Sequence, residues 1–152
     1  MKNRDDIDAT VKLFTDHPAL DANELQSRLQ KIMKLAGAEA DEVSLAVVDD
    51  TQISNYNRFY LNREGPTDVL AFPYNEITEE GKYNLGDIVI SVETAESQAL
   101  EMGHSLHHEM DVLMIHAVLH LLGYDHEKDK GEMEQKQNEY LNLLHNLPTE
   151  ND

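Results

Sequence analysis

Apolar residues recur along this chain with two periods, and the switches between them mark out the elements. Ile7, Ala9, Val11 and Leu13 alternate with more polar neighbours and end near His17 and Pro18, which predicts a short edge strand over 7–14. From Leu25 the period becomes helical: Leu25, Leu29, Ile32 and Met33 share a face, Asp21 stands ahead as the cap, and Gly37 follows as the stop. VSLAVV, residues 43–48, is a β-branched run that predicts a buried strand, and Asp49 and Asp50 close it and cap a helix over about 51–60. VLAFPY, 69–74, predicts a compact strand closed by Pro73, with the polar stretch 75–84 as a loop. LGDIVISVET, 85–94, predicts a central strand in which Gly86 permits a bulge or a close backbone approach.

Three helical segments follow. They run over about 95–102 to Gly103, over 105–122 to Gly123, and over 129–145 with Met133, Tyr140, Leu141 and Leu144 as the apolar stripe. Strands gather early and helices late, with a helix between the first two strands. That order predicts an α+β fold: a small mixed sheet of about four strands, covered mainly on one face by helices. A length of 152 residues with 40% apolar content suits one domain over 1–152, and the acidic tail 149–152 is expected to be disordered. The chain contains no internal repeat, low-complexity run or linker.

Composition narrows the chemistry. The 30 acidic and 12 basic side chains give a formal charge of −18, which opposes long-range attraction to polyanions, so a phosphate-rich partner needs a local basic patch. The absence of cysteine excludes disulfides and thiolate chemistry, and leaves histidine and carboxylate as the only strong transition-metal ligands. No stretch has the apolar length of a signal core or membrane span, so a soluble, cytoplasmic protein without a membrane partner is expected.

One stretch stands apart. HAVLHLLGYDH, 116–126, sets three histidines in an otherwise apolar helix. His116 and His120 are four apart and share one face, close enough to reach one small cation. Gly123 can end the helix in a left-handed conformation and let the chain double back to deliver His126. Three neutral imidazoles favour zinc, with nickel, copper or iron as alternatives, and leave a coordination position for water, which points to catalysis. The plainer alternative is two core histidines bonded to carbonyls and a surface His126; three rings at these spacings, with a helix stop in the gap, weigh against it. The spacing matches that of metzincin peptidases, but Ala117 stands where a peptidase carries its glutamate base. Metal-assisted attack on a phosphodiester needs no such glutamate. His104, His107 and His108 read as a solvated first turn, and His17 and His145 receive no role.

HAVLHLLGYDH closely resembles the signature of the YbeY family of zinc-dependent endoribonucleases, PTDVLAFPY and LGDIVIS resemble two of that family's strand segments, and EMEQKQNEYLNLL is similar to its last helix. The resemblance covers most of 43–146. It implies that His116, His120 and His126 are zinc ligands on a metzincin-like helix. It also implies hydrolysis of single-stranded RNA, maturation of the 3′ end of small-subunit rRNA, ribosome quality control, and partners among rRNA, the small subunit and assembly proteins.

Three positions depart from the family pattern: Leu61 replaces its arginine, Ala117 a glycine and Ala71 a serine. Arg63 and Arg58 are the candidates to grip the scissile phosphate, since a guanidinium holds two oxygens at once; a solvated helix end explains them equally well. Asp125 can orient a ligand imidazole or cap the next helix, Tyr60 and Phe72 can stack a base or pack in the core, and Asp68 and Asp87 are turn formers or cleft acids. Two functional classes follow: a metallo-endoribonuclease of ribosome biogenesis, and a non-catalytic assembly or binding protein with a structural metal. A small metallohydrolase of another bond is a third.

Overall fold

The computed structural model describes residues 7–125 and 127–146. Four strands, β1 (Asp8–Leu13), β2 (Glu42–Val48), β3 (Val69–Ile77) and β4 (Tyr83–Ser91), form one sheet in the order β1-β2-β4-β3. β1 and β2 are parallel, as are β2 and β4, whereas β3 runs antiparallel to β4. The sheet is mixed, β4 is central as its β-branched run predicts, and β1 is an edge strand.

The helices are α1 (Ala22–Leu35), α2 (Asp50–Leu61), α3 (Val92–Met102), α4 (Leu106–Leu121) and α5 (Glu132–His145). Their starts follow from the caps. Asp21 accepts from the backbone N–H groups of Asn23 and Glu24, and Asp49 and Gln52 form a reciprocal capping box ahead of α2. Val43, Leu45 and Val47 of β2 and Ile88 and Ile90 of β4 face one way, into the main core with α1, α4 and α5. Val48, Leu70 and Val89 face the other way, against Ile53 of α2. One sheet face thus carries most of the helical cover, and among the described residues α2 covers the other.

Two boundaries differ from the sequence reading. Pro73 does not close β3: the strand continues to Ile77, β4 begins at Tyr83, and the stretch read as a loop is mostly a hairpin. An edge strand tolerates proline because one side of its backbone has no partner strand, and the pairing register shifts between Pro73 and Glu76. The run 85–94 ends earlier as a strand, because the Ser91 hydroxyl accepts from Thr94 N–H and opens α3 at Val92. The expected tail 149–152 lies outside the described residues.

Gly86 fixes how closely α4 approaches the sheet. Its φ is +150°, it pairs with Pro73, and a Cβ there would collide with the Phe72 carbonyl oxygen and lie 2.9 Å from the Leu121 side chain. Only glycine lets the C-terminal turn of α4 lie against the β3–β4 ladder.

Candidate metal centre

α4 is apolar almost all round, and between Asp111 and Leu121 every position is buried except Val112, His116 and His120. Spaced by four, these three form a single half-exposed stripe. His116 and His120 therefore lie on the side of α4 that, among the described residues, stays partly exposed over 111–121. Their ring centroids lie 4.9 Å apart at an interplanar angle of 70°.

The helix ends directly after them. The N–H of Gly123 donates to the His120 carbonyl and that of Tyr124 to the Leu119 carbonyl, while Gly123 takes a φ of +101°. That conformation, costly for a residue with a Cβ, reverses the chain after a single turn. The Asp125 carboxylate then accepts from Glu127 N–H, and its carbonyl from the N–H groups of Lys128 and Asp129. Asp125 is thus a turn former here. His126 lies outside the described residues, and among the described residues no three histidine or carboxylate side chains are grouped to hold an ion.

The tautomer of His116 follows from its partner. Nδ1 lies 3.1 Å from Oε1 of Gln137 on α5, and a carbonyl oxygen only accepts. In the tautomer with its hydrogen on Nδ1 the ring donates to that oxygen and leaves the lone pair on Nε2. Two neighbouring imidazoles one helical turn apart fit a divalent transition-metal ion by the chemistry of their donors. Gln137 escapes the sequence reading, although it falls within the stripe Met133, Tyr140, Leu141 and Leu144 as a polar residue at helical spacing.

The candidate phosphate contacts come from α2 and the segment after it. Arg58 is exposed on α2 and lines a groove with Phe14, Gln52, Asn55 and Phe59, so it belongs to the sheet face opposite α4. Arg63 is exposed in the segment between α2 and β3, the strand against which α4 packs. Asn57, 5% exposed, fixes that segment: its side-chain amide donates to the Gly65 carbonyl at 3.0 Å and its backbone carbonyl accepts from Arg63 N–H. The structure thus brings the two histidines together and sets Arg58 on the other face of the sheet.

Asp68 proves a turn former, its carboxylate accepting from Val69 N–H and the Thr67 hydroxyl. Asp87 is a cleft acid. It accepts from the hydroxyls of Ser44 and Tyr74 in a cavity of about 410 Å³ whose aromatic wall comprises Phe14, Tyr56, Tyr60, Phe72 and Tyr74. Tyr60 and Phe72 meet edge to face at 5.6 Å. The bond to Asp87 pushes the Tyr74 phenol up to about 12.

The second histidine cluster is more than a solvated turn. His104 Nε2 bonds Glu109, the rings of His104 and His108 lie 4.4 Å apart, and His108 packs 5.0 Å from His145. Glu109 and Asp111 are buried, and Asp111 takes both Arg28 and His145 as partners. Spacing along one helix gives no sign of partners arriving from α1 and α5. His17, likewise, pairs with Glu96.

No helix among the described residues is long and apolar enough to cross a membrane. The profile of the family described as Endoribonuclease YbeY matches residues 11–145. A protein of that name from Aquifex aeolicus is 46% identical over 124 residues, covering 78% of this chain and 81% of its own length. Another from Syntrophus aciditrophicus is 40% identical over 136 residues, 85% of this chain and 84% of its own. The solution structure of a Thermotoga maritima protein superposes with a TM-score of 0.58 at 26% identity over 89% of each chain. On the profile match and these relatives, the chain belongs to the endoribonuclease YbeY family.

Proposed function

We propose that this single-domain chain is a cytoplasmic, zinc-dependent endoribonuclease that cuts single-stranded RNA during maturation of the 3′ end of small-subunit rRNA and in ribosome quality control. The observation that carries this reading is the His116–His120 pair, set on the partly exposed stripe of α4 in a chain of a family named for endoribonuclease activity. His116, His120 and His126 would hold the ion. When bound, a divalent transition metal supplies Lewis acidity toward water and toward a phosphoryl oxygen at neutral pH.

The chain's own residues do the rest. His116, with its Nδ1 hydrogen held by Gln137, presents Nε2 in a fixed plane. Buried α4 holds both rings in place, so they need no reorganisation when substrate arrives. Arg63 and Arg58 would each grip a phosphate of the RNA backbone, Arg58 from the sheet face that α2 covers. At a net charge of −18, these few cations do not attract bulk RNA, so contacts with the small subunit or assembly proteins would supply proximity to the substrate.

The test is incubation of the purified chain with end-labelled single-stranded RNA, with and without a chelator. The reading expects internal cuts that vanish with chelator and in His116→Ala, and little cutting of duplex. Tightly bound metal, no cleavage, and unfolding on chelation would instead support a structural metal in a non-catalytic assembly protein.

A further inference from the structure

α5 contributes a residue to the centre on α4. We infer that Gln137 is a positioning residue for His116: its side-chain carbonyl holds the Nδ1–H tautomer and the ring plane, and so sets the affinity of the site for its ion. This inference rests on the metal reading above.

The geometry leaves little latitude. Oε1 of Gln137 lies 3.1 Å from His116 Nδ1, and the opposite tautomer would set two lone pairs against each other. Gln137 is itself half-buried on a helix anchored by Met133, 1% exposed, at one end and Leu144, 3% exposed, at the other. Its position four residues beyond Met133 turns it toward α4 with the apolar stripe rather than toward solvent. A polar side chain at such a position is accounted for when it meets a polar partner, and that partner is the candidate ligand.

The position also makes a chemical demand. The residue must present a hydrogen-bond acceptor to Nδ1. A neutral amide does this. Carbonyl or carboxylate partners on the distal nitrogen raise the ligand strength of metal-bound histidines, and their loss weakens metal binding by about 10- to 100-fold.

Two measurements on the full-length chain test this. In the metal-free protein at mildly alkaline pH, long-range nitrogen–proton correlation should show His116 with its hydrogen on Nδ1; a hydrogen on Nε2 overturns the inference, and this holds whatever any variant does. Zinc affinity is then measured by competition with a chromophoric chelator. Gln137→Met, close in size but lacking the carbonyl, should bind zinc about 10- to 100-fold more weakly, with its metal-free unfolding transition unchanged. Gln137→Glu, which keeps an acceptor, should restore affinity. If Gln137→Met binds like the parent while His116→Ala loses the ion, Gln137 has no positioning role. If His116→Ala also binds like the parent, the metal reading itself falls.

Discussion

Arg28 and Asp111 form a two-pronged ion pair between α1 and α4, with Nε and Nη2 of the guanidinium each 2.6 Å from a carboxylate oxygen. Asp111 is 3% exposed, and the pairing holds the Arg28 guanidinium above its ordinary range. Fork-shaped pairing satisfies both carboxylate oxygens at once, which is what makes burial of the charge tolerable. Arg28→Ala leaves Asp111 with only His145, at 3.4 Å, and should cost roughly 3 kcal/mol in urea unfolding. A loss within experimental error would mean that the pair does not tie the two helices.

Gly86→Ala should be as costly for a different reason. The added Cβ strains a φ of +150° and drives into the Phe72 carbonyl and Leu121, one residue after His120. Backbone strain together with overpacking costs about 2–4 kcal/mol. Thermal unfolding of the metal-free protein would show the loss, and zinc affinity should fall with it because the end of α4 is displaced. A fully stable Gly86→Ala variant would contradict the close approach.

His108 sets a pH dependence. Partial burial, then the neighbouring His104 and His145, push its imidazole below the ordinary range, and Asp111 and Glu109 oppose this only in part. A histidine with a depressed folded value binds its proton more readily when unfolded. Stability is therefore fully present above the unfolded value of about 6.5 and is lost as pH falls from there toward the folded value. Unfolding midpoints measured between pH 8 and 5 should decline on the acid side, and His108→Gln should decline less. An equal decline in both would assign the effect to other groups.

Tyr74 should titrate late. With its phenol pushed up to about 12 by Asp87, it should remain protonated at pH 11, where an ordinary tyrosine is largely ionised. Absorbance titration of the parent and of Tyr74→Phe should differ only above that pH, and Asp87→Asn should move the late step back toward 10. Loss of an early step in Tyr74→Phe would show that the hydroxyl does not bond the carboxylate.

Much of this was written locally. The α1 cap at Asp21, the α2 cap at Asp49 and the central β-branched strand all act within a few residues, and pattern reading places them. So does the i, i+4 pair His116 and His120, because one helix determines whether two of its side chains share a face. Pro73 misled because proline removes a donor, and only the sheet order reveals that an edge strand can lack one there. Gln137 and the Asp111 partners were hidden for a related reason. They join α5 and α1 to α4 across 21 and 83 residues of sequence, and no periodicity within one element carries that information. Arg58 was singled out for its charge beside Leu61, and only the packed structure shows that α2 covers the sheet face opposite α4.

The central claim is that one divalent ion is held by His116 and His120 with His126. The most direct measurement is elemental analysis of the chain purified without chelator, alongside His116→Ala and His120→Ala at equal concentration. The account predicts one zinc per parent chain and a small fraction of that in either variant, with the helical circular dichroism of all three alike. Equal metal in parent and variants, or none in a folded parent that also fails to take up added zinc, would contradict it.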